Sequence, residues 1–205
     1  MASLVQQPQK TLPVCIFKSK PGTGKNLMFE TLLGRTILGD DYFTISEKLD
    51  LFLGRFNSAL EGKLFAILDE TSTFIGNHEV NNLLKSFATQ LFINIKRKRM
   101  EPYTIPSYLN KMLFTNNEAP IKIEDGDRRY NMYDVDNNIG KGQNFNEVPE
   151  CVRKEYTSRE DYFCELSDTI KNDKDTIKLF VDFLMSIDIS EYRPSIFNYS
   201  TKDHL

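Results

Sequence analysis

The residues best equipped for chemistry stand together near the amino terminus, in Ser19-Lys20-Pro21-Gly22-Thr23-Gly24-Lys25-Asn26-Leu27. An apolar run, Pro13-Val14-Cys15-Ile16-Phe17, leads into them, and Met28-Phe29-Glu30-Thr31-Leu32-Leu33 follows. Apolar run, glycine-rich turn and helix formers spell strand, loop and helix. In that order the backbone N–H groups of the turn and of the first helical residues converge on one point and can wrap an anion. Gly22 and Gly24 lack a Cβ, which lets a phosphate approach the main chain. Lys25 adds a positive charge for the outer phosphates. The competing reading is a glycine- and proline-rich surface turn ahead of a helix.

The stretch fits the P-loop pattern G-x-x-x-x-G-K-[ST] with two departures. Ser19 takes the place of the first glycine, and Asn26 the place of the hydroxyl residue that normally holds Mg²⁺. A second group supports the functional reading. Leu64-Phe65-Ala66-Ile67-Leu68 is a continuous apolar run, as a strand buried on both faces requires, and it ends in Asp69-Glu70. A carboxylate so placed orders Mg²⁺, often through water, and the glutamate after it can polarise an attacking water. Between Lys25 and Asp69, 44 residues apart, there is room for a helix, a strand and a second helix.

Three weaker groups follow. Asn116-Asn117 closes the apolar strand Met112-Leu113-Phe114-Thr115, where an amide can hydrogen-bond both a terminal phosphate and a lytic water. Ordinary turn chemistry explains those asparagines as well. Arg128-Arg129 follows Asp127; a guanidinium stabilises charge on a transferring phosphoryl group, and a neighbouring subunit can supply it. A surface arginine pair balanced by Glu124, Asp125 and Asp127 is the alternative. Lys96-Arg97-Lys98-Arg99 gives the stretch from Leu91 to Met112 five basic residues and one acidic. With Tyr103 and Tyr108 nearby, and a strand returning at Met112, it reads either as a solvated loop or as a hairpin that touches nucleic-acid phosphates.

The elements that would position these groups alternate between strand and helix. Strands are expected at 13–17, 41–45, 63–68, 91–95, 112–115 and 130–135. Helices are expected after the glycine loop to about Gly34, from Leu51 to Leu60, through Val80, Leu83, Leu84 and Phe87, and at 158–170 and 174–187. Alternation of this kind predicts an α/β core with a mostly parallel sheet and a small helical C-terminal part. The expected divisions are a flexible lead-in at 1–12, a core at 13–136, and a hinge with a helical subdomain at 137–205.

Bulk properties exclude several classes. The 205 residues are 40% hydrophobic and 27% charged, with a net charge of −3, which argues against a wholesale nucleic-acid coat. Cys15, Cys151 and Cys164 are scattered, and His78 and His204 lie far apart, so neither a disulfide framework nor a zinc site is expected. No leader-like or membrane-spanning run is present, so the expectation is a soluble chain acting inside a cell.

Taken in order, these pieces resemble the superfamily 3 helicases, viral and plasmid replication ATPases with an AAA+-like P-loop core. The likeness is greatest to the branch fused to primase-polymerase modules, and covers about residues 12–136. Ser19–Asn26 resembles motif A, Leu64–Glu70 motif B, and Lys96–Asn110 motif B′, with Lys98 or Lys96 matching its DNA-contacting lysine. Leu113–Pro120 resembles motif C, where the N-x-x-P spacing points to Asn117 as sensor, with Asn116 as fallback. Asp127–Tyr130 is similar to the element carrying an arginine finger. The resemblance implies an ATP hydrolase and DNA helicase using Mg²⁺ held by Asn26 and Asp69. It also implies a homo-oligomeric ring, usually a hexamer, threaded by single-stranded DNA, with RNA as an alternative. A primase or origin-binding domain outside this chain is expected too, with action in a host cell or bacterial cytoplasm. The rival readings are a P-loop nucleotide kinase and an ATP-binding assembly or packaging module.

Overall fold

The computed structural model describes residues 1–8, 12–69, 78–117, 127–135, 139–142 and 144–192. Seven strands are present among them: β1 (Val14–Lys18), β2 (Phe43–Ser46), β3 (Phe65–Leu68), β4 (Phe92–Ile95), β5 (Tyr103–Pro106), β6 (Asn110–Thr115) and β7 (Tyr130–Asp134). Five form one sheet in the order β2-β3-β6-β1-β7, and every pairing in it is parallel. All four residues of β3 and all six of β6 are buried, the pattern of strands covered on both faces. The fold is therefore α/β around a parallel sheet.

Two apolar layers sandwich that sheet. On one face Ile16, Ala66, Leu68 and Leu113 meet Phe52 of α2 (Asp50–Leu53), Leu84 and Phe87 of α3 (His78–Thr89), and Ile93 and Ile95 of β4. On the other, Phe65, Ile67, Met112 and Phe114 meet Leu33 and Leu4. Leu4 belongs to α1 (Ala2–Gln6) and is 4% exposed, so residues 2–6 are part of the core and not a flexible lead-in. Gln6 Nε2 donates to the carbonyls of Leu184 (2.7 Å) and Ile187 (2.9 Å), tying α1 to the C-terminal helices. Those are α4 (Glu150–Glu155), α5 (Arg159–Asn172) and α6 (Lys174–Ser186).

Several expectations shift for local reasons. The helix expected from Leu51 to Leu60 stops at Leu53, because Gly54 is extended there and a Cβ on it would meet the Asp50 carbonyl. A short 3₁₀ turn at Ser58–Leu60 replaces the rest. The helix after the glycine loop does not end near Gly34; it is a π-helix over Leu27–Leu38 that stops at Gly39, where φ is +85°. Its i→i+5 winding shows in the Gly39 N–H bond to Gly34 (2.9 Å) and in Arg35, which reaches Glu30 and Asp40, five residues to either side.

Gly34 has a packing role inside that helix. A Cβ on it would stand 2.7 Å from the Phe43 ring, itself fixed against Phe65. Gly34→Ala should therefore cost about 1–3 kcal/mol through displaced core aromatics. A lower urea midpoint with an unchanged slope would show it.

One buried cation breaks the apolar pattern. Lys111 on β6 is 4% exposed, and its Nζ lies 5.0 Å from the centre of the Phe87 ring. Burial pulls its pKa from 10.5 down to about 8. The folded chain thus holds this proton less tightly than the unfolded chain. The resulting penalty is full below about pH 8 and fades as pH rises toward 10.5. Lys111→Met should stabilise the fold by about 3 kcal/mol at pH 7, with the gain shrinking by pH 10. Cys15 and Tyr133, raised by burial to about 11 and about 12, oppose this trend in both proteins. The readout is accordingly the difference in denaturation midpoint between parent and variant at each pH.

Candidate functional site

In a wholly parallel sheet all strands end on the same edge. The glycine loop after β1, Asp69 after β3 and Asn116-Asn117 after β6 consequently share that carboxyl edge, where open α/β sheets bind ligands. The acidic strand is not the immediate neighbour of β1. β6 lies between them, which puts its asparagines between the glycine loop and Asp69.

The loop turns on Gly22 (φ +78°) and Gly24 (φ +90°), both in the left-handed region that a side chain disfavours. Ser19, which departs from the usual glycine, is 5% exposed and braces the loop from inside. Its Oγ shares a hydrogen bond with Thr23 Oγ1 (2.8 Å) and accepts one from Lys25 Nζ. The Ser19 N–H donates to Thr115 on β6 (3.2 Å). Partial burial lowers the pKa of Lys25, and the facing charge of Asp69 works against that shift. Asn26 Nδ2 donates to Asp69 Oδ2 at 2.5 Å. Lys25, Asn26, Asp69, Thr115 and Asn116 line a cleft of about 220 Å³.

A cation, two amides and a carboxylate around a void beside glycine-loop N–H groups suit a polyphosphate with a hard cation. The donors fit Mg²⁺: Asp69 and the Asn26 amide oxygen are hard, few, and leave positions for phosphate oxygens and water. Among the described residues no three His, Cys, Asp or Glu side chains form a metal cage, so any metal here depends on its ligand's oxygens. Glu70, expected to orient water, lies outside the described residues.

Of the two asparagines, Asn116 lines the cleft. Asn117, favoured by its spacing to Pro120, instead donates its backbone N–H to Thr115 Oγ1 (3.0 Å) in a local turn. Arg128 and Arg129 are not near the cleft. They precede β7 and lie at the opposite, amino-terminal edge of the sheet, where the Arg129 carbonyl accepts from the Val14 N–H. The Arg129 side chain is held by buried Asp127 (3.0 Å), while Arg128 is exposed.

The basic run crowns an antiparallel hairpin of β4 and β5, separate from the main sheet. Its returning strand is Tyr103–Pro106; Met112 belongs to β6. Lys96, Arg97, Lys98 and Arg99 are all exposed. Arg97 is tied to Glu61, as is the Tyr103 hydroxyl, so it serves the hairpin's own structure. Lys98 Nζ stands 5.8 Å from the centre of the Phe56 ring.

Sequence reasoning missed one wall of the loop. Arg159 at the start of α5 donates to the carbonyls of Gly22 (2.7 Å) and Ile139 (2.8 Å), and the Phe163 ring packs on Gly24. The Lys141 N–H also donates to Pro21 (3.0 Å). Periodicity marks 158–170 as a helix but carries no sign of what lies beneath it.

A parallel α/β sheet with a glycine loop, a carboxylate and an amide on its carboxyl edge defines the class. The chain belongs to the family described as a family of unknown function (DUF5906), which matches residues 17–129. It is 32% identical over 145 residues to a protein named DNA Primase-polymerase from Nitratiruptor phage NrS-1, a match covering 70% of this chain and 20% of that protein. Solved apo structures of the NrS-1 C-terminal region share the fold. One spanning residues 305–718 has a TM-score of 0.72 at 25% identity, over 98% of this chain and 43% of that one. The A form also has a TM-score of 0.72, at 23% identity, over 99% and 44%. This chain thus spans about a fifth of the curated relative and under half of the solved chains.

Proposed function

We propose that this chain is an ATP-hydrolysing helicase motor of the superfamily 3 type, the P-loop module of a phage or virus replication protein. The convergence of Lys25, Asn26, Asp69 and Asn116 on one cleft carries the reading. Its kinship with a phage protein named a primase-polymerase supports the setting.

In this reading Lys25 leaves Ser19 Oγ to meet the β- and γ-phosphates, and the N–H groups after Gly22 and Gly24 wrap them. Asn26 would give up its Nδ2 hydrogen bond to Asp69, and its amide oxygen and the Asp69 carboxylate would together hold Mg²⁺, which when bound would neutralise phosphate charge. Asn116 fixes the γ-phosphate and the water in line with it, and Glu70 is the candidate to polarise that water. Arg128 completes the site of a neighbouring subunit. Lys96, Lys98 and Arg99 on the hairpin contact the strand through its phosphates.

The test is phosphate release from ATP, with and without single-stranded DNA, over a range of protein concentrations. Specific activity should rise with concentration as neighbours complete each other's sites, and DNA should stimulate it without any phosphate acceptor. Conversion of ATP to ADP that requires a nucleoside monophosphate, and passes the phosphoryl group to it without releasing free phosphate, would indicate a kinase instead.

A further inference from the structure

The glycine loop has a second side. Gly22, Lys25 and Asn26 border both the small cleft at Asp69 and a larger cavity of about 640 Å³ between the loop and α5. The far wall of that cavity is Phe163, Cys164 and Ser167, one face of α5 at i, i+1 and i+4. Phe163 is half-buried, an aromatic ring left partly open on a cavity whose other wall is the glycine loop. Arg159 lies with its guanidinium carbon 5.0 Å from the ring centre and is itself bonded to Gly22, so the ring and the loop are locked together.

From this geometry we infer that α5 supplies the nucleoside half of the nucleotide site, with Phe163 as the stacking surface for the base. This rests on the reading of the glycine loop as a phosphate site. The volume is ample for a base and ribose, whereas the 220 Å³ cleft has room for little beyond phosphates and a metal. A base on Phe163 would keep its phosphates over the same loop residues that border both spaces. The Cys164 thiol, exposed in the free protein, would then be covered.

Cys164 makes the proposal testable without altering the site. ADP and pyrophosphate are titrated into the whole chain by calorimetry, and maleimide labelling of each cysteine is followed by peptide mass spectrometry. Cys151, exposed outside the cavity, is the internal control, and Cys15 is half-buried with its thiol pushed up to about 11 by burial, which slows its labelling. Both ligands should bind, but only ADP should slow labelling of Cys164. Phe163→Ala should weaken ADP by roughly ten-fold to a hundred-fold, the worth of one base–aromatic stack, and leave pyrophosphate unchanged. Phe163→Tyr should restore ADP binding. If ADP binds and Cys164 labels as fast as in the free protein, the assignment of α5 is wrong and the phosphate reading survives. If neither ligand binds, both fall.

Discussion

Replacing Arg128 with alanine is expected to lower steady-state ATP hydrolysis about 10³-fold or more while leaving ADP affinity at the parent value. Arg128 is exposed at the amino-terminal edge of the sheet, and the cleft is at the carboxyl edge. A five-residue strand such as β7 separates the two by roughly 17 Å, so Arg128 has no path to its own cleft. In the proposed reading it acts on a neighbour. Mixing Arg128→Ala with Lys25→Ala should consequently restore part of the activity, because some interfaces then pair an intact Lys25 with an intact Arg128. Mixtures no more active than either variant would rule out action in trans. Arg129→Ala should behave differently, since Arg129 neutralises an Asp127 carboxylate that is 8% exposed. Removing the guanidinium from beside that buried carboxylate should lower stability, with hydrolysis per folded molecule changed far less.

Lys25→Ala should lower hydrolysis on the order of 10²- to 10³-fold, and unlike Arg128→Ala it should weaken nucleotide binding as well. Lys25→Arg should not rescue. Ser19 Oγ holds a compact ammonium within the curve of the loop, and a planar guanidinium does not fit that place. Phosphate release and ADP calorimetry on the same preparations separate the two effects. Hydrolysis that survives Lys25→Ala would remove the glycine loop from the chemistry.

Much of the fold is legible in the chain because its signals are local. Five consecutive apolar residues before Asp69 mark a strand buried on both faces, and β3 is one. The glycine spacing marks a turn with two positive-φ positions, and Gly22 and Gly24 hold them. Helix ends are harder. Gly34 reads as a terminator, yet it is a contact point for Phe43, a distinction visible only once β2 lies against the helix. Leu51 to Leu60 has helical spacing, but the extended backbone of Gly54 overrides it.

The site divides along the same line. The residue types and their order, a lysine after the glycine turn, an aspartate and an asparagine pair each closing an apolar strand, are properties of the sequence alone. Their meeting depends on strand order. Only because β6 inserts between β1 and β3, all parallel, do Lys25, Asp69 and Asn116 come to one edge while Arg128 goes to the other. Contacts between residues more than a hundred positions apart leave no periodic trace. The seat of α5 on the glycine loop, through Arg159 and Phe163, was therefore decided by tertiary packing alone.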